Sequence, residues 1–475
     1  MAERLSQKTS VAAVYVLAMF ISIMDATIVN VALPQLGRDF GVPTAHVDTV
    51  VVGYLVSLAV FIPASGWLGD RFGAKRVLLT ALVVFTAASA LCGTAQSLGQ
   101  LVLFRVLQGT GGGMLAPVGL AMLFRVYPPA ERARAAQILI VPTALAPAMG
   151  PVIGGLLVTE ESWRWVFYVN LPIGAAGVLF GALFLREQRR DRPGRFDLPG
   201  FLLSGASLGA LMYALSESPA LGWASPWIIG AAITGVVLLA ALTLTELAAE
   251  EPMLQLRLLA NRLFRTTTGV LVVTTIAFLG SLYLVSLFYQ DGFGVSPLQS
   301  GLSTFPEALG VMAGAQVAGR LYPKYGPRRL MIAGLLGDAA SLALIAAVPF
   351  TASLWLMRAY MVLLGFSQGH VFMPAQAAAF ATISSAETGR AAAMFNAGRQ
   401  LGGAIGVAAL STVISAVGAL HRAGGAARPS ADAYHAAFLT AAGIALVAAC
   451  WATAIKDSDA APTMQPRASR QPSHL

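Results

Sequence analysis

The chain is dominated by apolar stretches long enough to cross a bilayer, each ended by a short turn rich in glycine, proline or charge. "VAAVYVLAMFISIMDATIVNVAL" (11–33) and "WIIGAAITGVVLLAALTLTEL" (227–247) both reach the roughly 20 residues that a helix needs to cross about 30 Å of hydrocarbon. Hydrophobic residues make up 57% of the 475 and charged residues only 11%, where a soluble domain carries about a quarter. That composition excludes an ordinary soluble fold and predicts an all-α polytopic membrane protein. The first apolar run exceeds 20 residues and has no small-residue cleavage site, so it is expected to be a retained span and not a signal peptide.

Apolar runs read against their punctuation give fourteen spans, beginning near Val11, Asp48, Val77, Leu101, Ala133, Trp165, Leu198, Pro226, Thr266, Pro297, Leu330, Leu354, Gly389 and Tyr434. An even number places both termini on one side. With that side in the cytoplasm, 24 of the 31 Lys and Arg fall in inner segments, four (Arg38, Arg164, Arg422, Arg428) fall outside, and three (Arg105, Arg358, Arg399) lie within spans. This bias predicts a multi-pass protein of the cell membrane with cytoplasmic N- and C-termini. It also accounts for the net charge of +9 through topology, so no nucleic-acid partner is expected. Cys92 and Cys450 both sit in apolar runs and are read as packing residues, with no disulfide framework or metal site.

A charged turn then reveals a duplication. "GWLGDRFGAKR" (66–76) returns as "GRLYPKYGPRR" (319–329), "ERARAA" (131–136) as "ETGRAA" (387–392), and Arg105 as Arg358, at offsets of 253, 256 and 253. A register held over several elements implies two similar six-span bundles. Parallel repeats around a midplane site are an arrangement that secondary transporters use. The expected organisation is 6+2+6: an N-terminal bundle at 1–190, a two-helix insertion with its linkers at 191–263, a C-terminal bundle at 264–456, and a disordered cytoplasmic tail at 457–475.

"GWLGDRFGAKRVLL" resembles the loop 2–3 signature of the major facilitator superfamily, "RVLQGTGGGMLAP" (105–117) resembles its fourth-helix motif, and "GPVIGGLL" (150–157) resembles the fifth-helix motif of its antiporters. "MDATIVNVALPQL" in span one and "RFDLPGFLLSGASLGALMYALSE" in span seven are similar to the fourteen-span drug/proton antiporter branch. Ala74 departs from the pattern, where many relatives have a basic residue, but Lys75 and Arg76 stand beside it. The resemblance implies the major facilitator fold and export of small amphipathic molecules, such as drugs or antibiotics, driven by proton entry. It also implies a proton-transfer role for Arg105. It does not identify the cargo.

Several residues are candidates for the chemistry. Asp25 lies mid-span, where a charge costs about 2.5 to 3.5 kcal/mol on insertion scales, so it must face a cavity or a partner. It is read as a proton- and substrate-binding carboxylate, with a structural hydrogen-bond anchor as the alternative. Glu307, beside Pro306 in span ten, gives the other bundle its own carboxylate and is read with Asp25 as a proton-coupling and substrate-binding pair suited to competition between a proton and a cationic substrate; the alternative is a structural partner for an arginine. Glu217 near the outer end of span seven is a cavity candidate or a plain loop charge. Arg399 holds an anionic group or plays a structural part. Asp338 and His370 are weaker candidates, with cation pairing and packing as the plainer explanations. Gly150, Pro151, Gly154 and Gly155 form a small-residue stripe that fits a gate seam between bundles, or simply close packing. Gly66, Asp70, Arg71, Gly73 and Arg76 form an expected conformational latch. Asp70 aligns with Pro323 in the second copy, so it is expected to hold the cytoplasmic side shut through a cation or a helix N-terminus across the seam.

Other classes lack their signatures. The glycine cluster at 109–113 is followed by no GK[ST] and lies inside an apolar run, which rules out a phosphate-binding loop. No metal-ligand cluster, catalytic constellation or appended ATPase domain is found, so neither an enzyme nor a cofactor is expected and the energy must come from an ion gradient. The expected partners are a small-molecule substrate, protons and lipid, with a monomer as the working unit. The competing readings are an exporter of one metabolite, siderophore or self-made natural product, and a non-transporting membrane sensor, for which the short tail offers no output domain.

Overall fold

The computed structural model describes residues 6–42, 47, 49–188, 195–249, 252–417, 420–423, 426–429 and 431–464. The first half of the chain forms α1 (Gln7–Phe40), α2 (Thr49–Phe72), α3 (Ala74–Thr94), α4 (Leu98–Val126), α5 (Arg132–Glu160), a single turn α6 (Trp165–Tyr168) and α7 (Asn170–Phe184). Next come α8 (Leu198–Leu221) and α9 (Pro226–Ala248). The second half forms α10 (Arg262–Leu287), α11 (Pro297–Ala346), α12 (Leu354–Ala379), α13 (Thr388–Val417) and α14 (Ala431–Ala452). Many starts are fixed by a polar residue that accepts from the first turn, as Ser97 does from Gln100 N at 3.3 Å and Asp197 from Gly200 N at 2.8 Å, satisfying donors that the helix itself leaves open.

The burial pattern is inverted relative to a soluble protein. Asp25, Arg105, Gln108 and Asn170 are fully buried, while Trp227 and Trp355 are about three-quarters exposed and Leu183 and Leu244 nearly so. Such an apolar exterior is compatible with lipid and not with water. Among the described residues, eleven helices are long and apolar enough to cross a membrane. The fourteen expected spans differ from that set in two ways. The helices α5 and α12 fall outside it, and α11 counts once although it contains two limbs, 297–325 and 327–346, joined where Gly326 leaves helical geometry at φ 71° and ψ 172°.

That break is the second copy of the charged turn. Gly73, at φ 97°, begins α3 as Gly326 begins the second limb, and the two are 253 residues apart. Each turn is capped by an acid that follows the last helix of its own half. Glu187 accepts from Lys75 N at 3.0 Å and Arg76 N at 3.3 Å, and Asp457 accepts from Arg328 N at 2.9 Å. The duplication therefore extends to backbone conformation and to a helix-capping carboxylate.

Two regions depart from expectation. The start of the expected disordered tail is ordered: Asp457–Ala460 makes a 3-10 turn, and α15 (Ala461–Met464) follows. There Thr463 shares a 2.8 Å hydrogen bond with Tyr322, both fully buried, and α15 packs against Pro129–Glu131 of the first half. Residues 465–475 lie outside the described residues. Between α13 and α14 the chain forms a short antiparallel hairpin, β1 (Leu420–Ala423) with β2 (Ala426–Pro429), where no strand was expected. The inserted α8 packs on α2 through Gly205 and Gly209, which face Val60 and Val56, and it also reaches α13, to which the adjoining Trp223 donates at Thr412 Oγ1 (2.5 Å).

Both left-handed glycines should resist substitution. A methyl group at either would demand a backbone geometry costing about 1–3 kcal/mol and would meet the carboxylate of Glu187 or Asp457. Gly73→Ala and Gly326→Ala should each lower the thermal unfolding midpoint of the purified protein in detergent. Gly69→Ala, where a Cβ meets nothing within 4 Å, should leave it unchanged.

Candidate functional site

The polar centre of the first half is assembled from five helices. Asp25 from α1 accepts three hydrogen bonds: from Arg105 Nη1 of α4 at 2.5 Å, from Gln108 Nε2 at 2.9 Å, and from Asn170 Nδ2 at the start of α7 at 2.8 Å. Gln108 lies one helical turn beyond Arg105 and also accepts from the same guanidinium nitrogen at 2.8 Å. Asn170 is held in turn by Ser89 of α3 at 3.0 Å. The guanidinium lies 4.1 Å from the centre of the Tyr54 ring of α2, a cation–π distance. The pair is neutral overall, as two opposite charges at zero exposure must be, although Arg105 Nη2 and Asn170 Oδ1 have no hydrogen-bond partner among the described residues. A proton on Asp25 would cancel one charge and leave Arg105 as a buried cation without a counter-ion.

The second half keeps only part of this plan. Arg358 takes the place of Arg105 at the repeat offset, and the contact that Arg105 Nε makes with Val50 O at 3.4 Å becomes Arg358 Nη2 donating to Ser303 Oγ at 3.3 Å. The offset turns Asp25 into Phe278 and Tyr54 into Glu307. Glu307 thus sits on the first limb of α11 with Asp338, on the second limb, as its electrostatic neighbour. None of the bonds to Asp25 reaches Glu307, so the two expected carboxylates belong to separate environments.

The remaining candidates scatter. Arg399 on α13 lies within electrostatic range of Tyr15 on α1, across the two halves. His370 is tied through Nδ1 to Phe366 O at 2.9 Å. Glu217 is half-buried within α8 and not beyond its end. The glycine stripe of α5 faces mainly its own half: Gly150 packs on Thr27 and Ile28, and Gly154 on Ile28 and Val31, all of α1, while Gly155 alone approaches Leu298 of α11. Its close packing therefore seats α5 on α1, which corrects the reading of the whole stripe as a seam. Pro151 is within α5, but its side chain lies outside the described residues.

The expected latch also separates into two groups. Gly73 and Arg76 serve the capped turn described above, and Arg71 is exposed. Asp70 and Gly66 are at the seam. Asp70 Oδ1 accepts from Arg125 Nη2 of α4 at 2.7 Å, and both groups border Gly389 in the first turn of α13. A methyl at Gly66 would stand 3.0 Å from the Gly389 carbonyl oxygen, so the backbones meet directly. Nearby, Arg132 donates to Phe380 O, and Phe124 stacks on Phe380 with centroids 4.7 Å apart. The two halves are thus joined on the face that carries the N-terminus. Sequence reasoning missed Tyr54, Gln108, Asn170 and Arg125. Gln108 alone carried a usable signal, its i+3 spacing from a buried arginine. Among the described residues, no group of three His, Cys, Asp or Glu gathers to hold a metal ion.

Comparison with known proteins agrees with this architecture. The chain is 34% identical over 408 residues to a multidrug resistance protein B homolog of Mycobacterium tuberculosis, covering 85% of this chain and 76% of that one. It is 32% identical over 452 residues to the puromycin resistance protein pur8 of Streptomyces alboniger, covering 93% and 90%. Its fold is similar to that of the human organic anion transporter MFSD10 (TETRAN), with a TM-score of 0.69 at 19% identity over 94% of this chain and 100% of that one. The Major Facilitator Superfamily profile matches residues 15–260, 198–406 and 266–475. Those matches span the repeated turns and both polar centres, and the chain belongs to the Major Facilitator Superfamily.

Proposed function

We propose that the protein is a proton-coupled antiporter that exports small amphipathic molecules, drugs or antibiotics among them, across the cytoplasmic membrane. It works as a transporter and not as an enzyme, with fourteen spans arranged 6+2+6, both termini in the cytoplasm, and a monomer as the working unit. The observation that carries this reading is the fully buried Asp25–Arg105 pair, closed by Gln108 and Asn170. The names of the two relatives, multidrug resistance and puromycin resistance, support the class of cargo. The family supports alternating access by two bundles around a central site.

In this mechanism a proton arriving from outside binds Asp25 and releases Arg105, which changes the charge facing the substrate site and lets cargo leave. One charge moved through 100 mV supplies about 2.3 kcal/mol, so one proton with a modest pH gradient supports a tens-fold concentration ratio. Asp25 and Arg105 form the coupling centre. Glu307 is the acid of the second bundle, and Glu217 and Arg399 contribute polarity to the cavity. Asp70, with Arg125, places a carboxylate against the first turn of α13, where the positive end of the helix dipole favours it. That contact latches the cytoplasmic face.

Asp25→Asn should abolish ethidium-dependent proton flux in proteoliposomes, because the amide keeps the size of the carboxyl group but cannot exchange a proton. Unimpaired coupled export would sink the proposal. Arg105→Ala should be worse for folding, since it strands a buried carboxylate at a cost of about 3–5 kcal/mol, and the yield of monodisperse protein measures this. Asp70→Asn should shift the resting population toward the cytoplasm-open state and lower export without affecting insertion. Site-pair distances from spin labels on α2 and α13 report the shift, and unchanged distances with normal export refute the latch.

A further inference from the structure

The two halves treat their buried acids differently. In the first, Asp25 is neutralised by Arg105 and receives three donors. In the second, Asp338 is 1% exposed and neither of its carboxyl oxygens has a hydrogen-bond partner among the described residues. Glu307 is 5% exposed and in no ion pair among them. A carboxylate at this depth without a cation or donors is among the costliest groups a membrane protein can bury.

The surrounding packing locks these acids together. The first limb of α11, which carries Glu307, is pressed on α12 at Gly365 and Gly369. A methyl at Gly365 would strike the Glu307 carbonyl oxygen, and one at Gly369 would strike Ala315 N. The second limb meets the same helix where Gly337 touches Ser367 and Gly334 touches His370. One residue from Ser367, Gln368 is 1% exposed and its Oε1 also lacks a donor. Three buried acceptor atoms, two on Asp338 and one on Gln368, are thus in want of hydrogen.

Among the described residues no cation forms an ion pair with either acid. Arg358 of α12 is engaged with Ser303 and lies 4.5 Å from the Trp355 ring centre. His370 is tied to Phe366 O, and Arg399 of α13 lies toward Tyr15. The other helices packed on α11 bring charged groups only near their ends: Arg132, Arg134 and Glu160 on α5, Arg262 and Arg265 on α10, and Asp432 and His435 on α14.

From this geometry we propose that Glu307 and Asp338 form a second proton-carrying site, separate from Asp25, which binds a proton while the N-terminal face is shut. The proton is taken from water on the open side and forms an O–H bond on one carboxyl group of the Asp338–Glu307 pair, supplying a donor where the Asp338 oxygens have none. When the other face opens, the same O–H bond breaks and the proton leaves to water there, so no other reactant is consumed. This inference rests on the reading of the protein as a proton-driven carrier and adds a second coupled proton to its cycle.

The test uses the full-length protein with ethidium as probe and two readouts. One is the proton-to-ethidium ratio in proteoliposomes, and the other is the infrared absorption of protonated carboxyl groups in the purified protein at neutral pH. D338N should remove part of the infrared band and lower the ratio by about half, one of two charges moved per cycle, and D338E should restore both. E307Q should act in the same direction. An unchanged band in D338N overturns the proposal, as does a reduced band with an unchanged ratio, since a proton that never leaves couples nothing. If D338N cannot transport, D338E decides: failure to regain the band and the ratio overturns the site. The D25N result is read separately, because coupled export surviving D25N refutes the role of Asp25 while leaving the infrared band of the second pair to stand or fall alone.

Discussion

A guanidinium and a carboxylate at zero exposure can persist in an apolar bundle only if each satisfies the other, and the first half of this protein is organised around that requirement. Asp25 draws α1, α4 and α7 to one point through Arg105, Gln108 and Asn170, with Ser89 and Tyr54 bringing in α3 and α2. Lipid-facing side chains can attract helices to one another only weakly, because the tails outside are as apolar as leucine. The polar network therefore supplies the specificity of the assembly that the hydrophobic effect supplies in water. In the proposed mechanism the same network also takes up the proton, so structural anchor and coupling device would be two roles of one site.

Duplication gave the second half the same backbone plan but not the same chemistry. The turns at Gly73 and Gly326 retain left-handed glycines and acid caps, and Arg358 retains its contact with the turn at Ser303. The carboxylate partner is lost, and acids appear instead at Glu307 and Asp338. Two bundles that rock about a shared site need similar shapes, which the turns and glycine contacts preserve. They do not need similar charges. One bundle therefore holds its buried acid against a guanidinium, while in the other Asp338 has no hydrogen-bond partner among the described residues.

Much of this was legible in sequence because it rests on local composition. Span length, the positive bias of the turns and the 253-residue register all depend on residues close together in the chain. Asp25, Arg105, Asp70 and Glu307 stand out because a charge in an apolar run is conspicuous whatever surrounds it. Tyr54, Gln108, Asn170 and Arg125 did not stand out, since an aromatic ring, an amide or a basic residue at a helix end is ordinary there and acquires meaning only from partners 51 to 145 residues away. The acids Glu187 and Asp457 were hidden for another reason: they cap equivalent turns but follow their bundles at different spacings, so no fixed offset links them. The glycine stripe of α5 was read as a gate seam with close packing as the alternative, and periodicity cannot say which helix it packs against.

The seam between the halves is crossed by more than the Asp70–Gly389 contact, and this constrains how it can open. On the face that carries the N-terminus, α15 reaches from the second half to Pro129–Glu131 of the first while Thr463 anchors it to Tyr322. On the flank, α8 lies on α2 and also touches α13, with Trp223 bonded to Thr412. A rigid-body separation of the two halves would have to break a buried hydroxyl pair or strip α15 from Pro129–Glu131, and would also pull α8 away from one of its two supports. Because α8 rests on α2 through small glycine contacts and not through buried charges, it can slide there at little electrostatic cost. The latch at Asp70 is different, since parting it exposes a charged pair to a new environment. The charged pair and the buried hydroxyl pair of the seam therefore both lie on the face that carries the N-terminus, while the flanking helix α8 rests on α2 through its glycines.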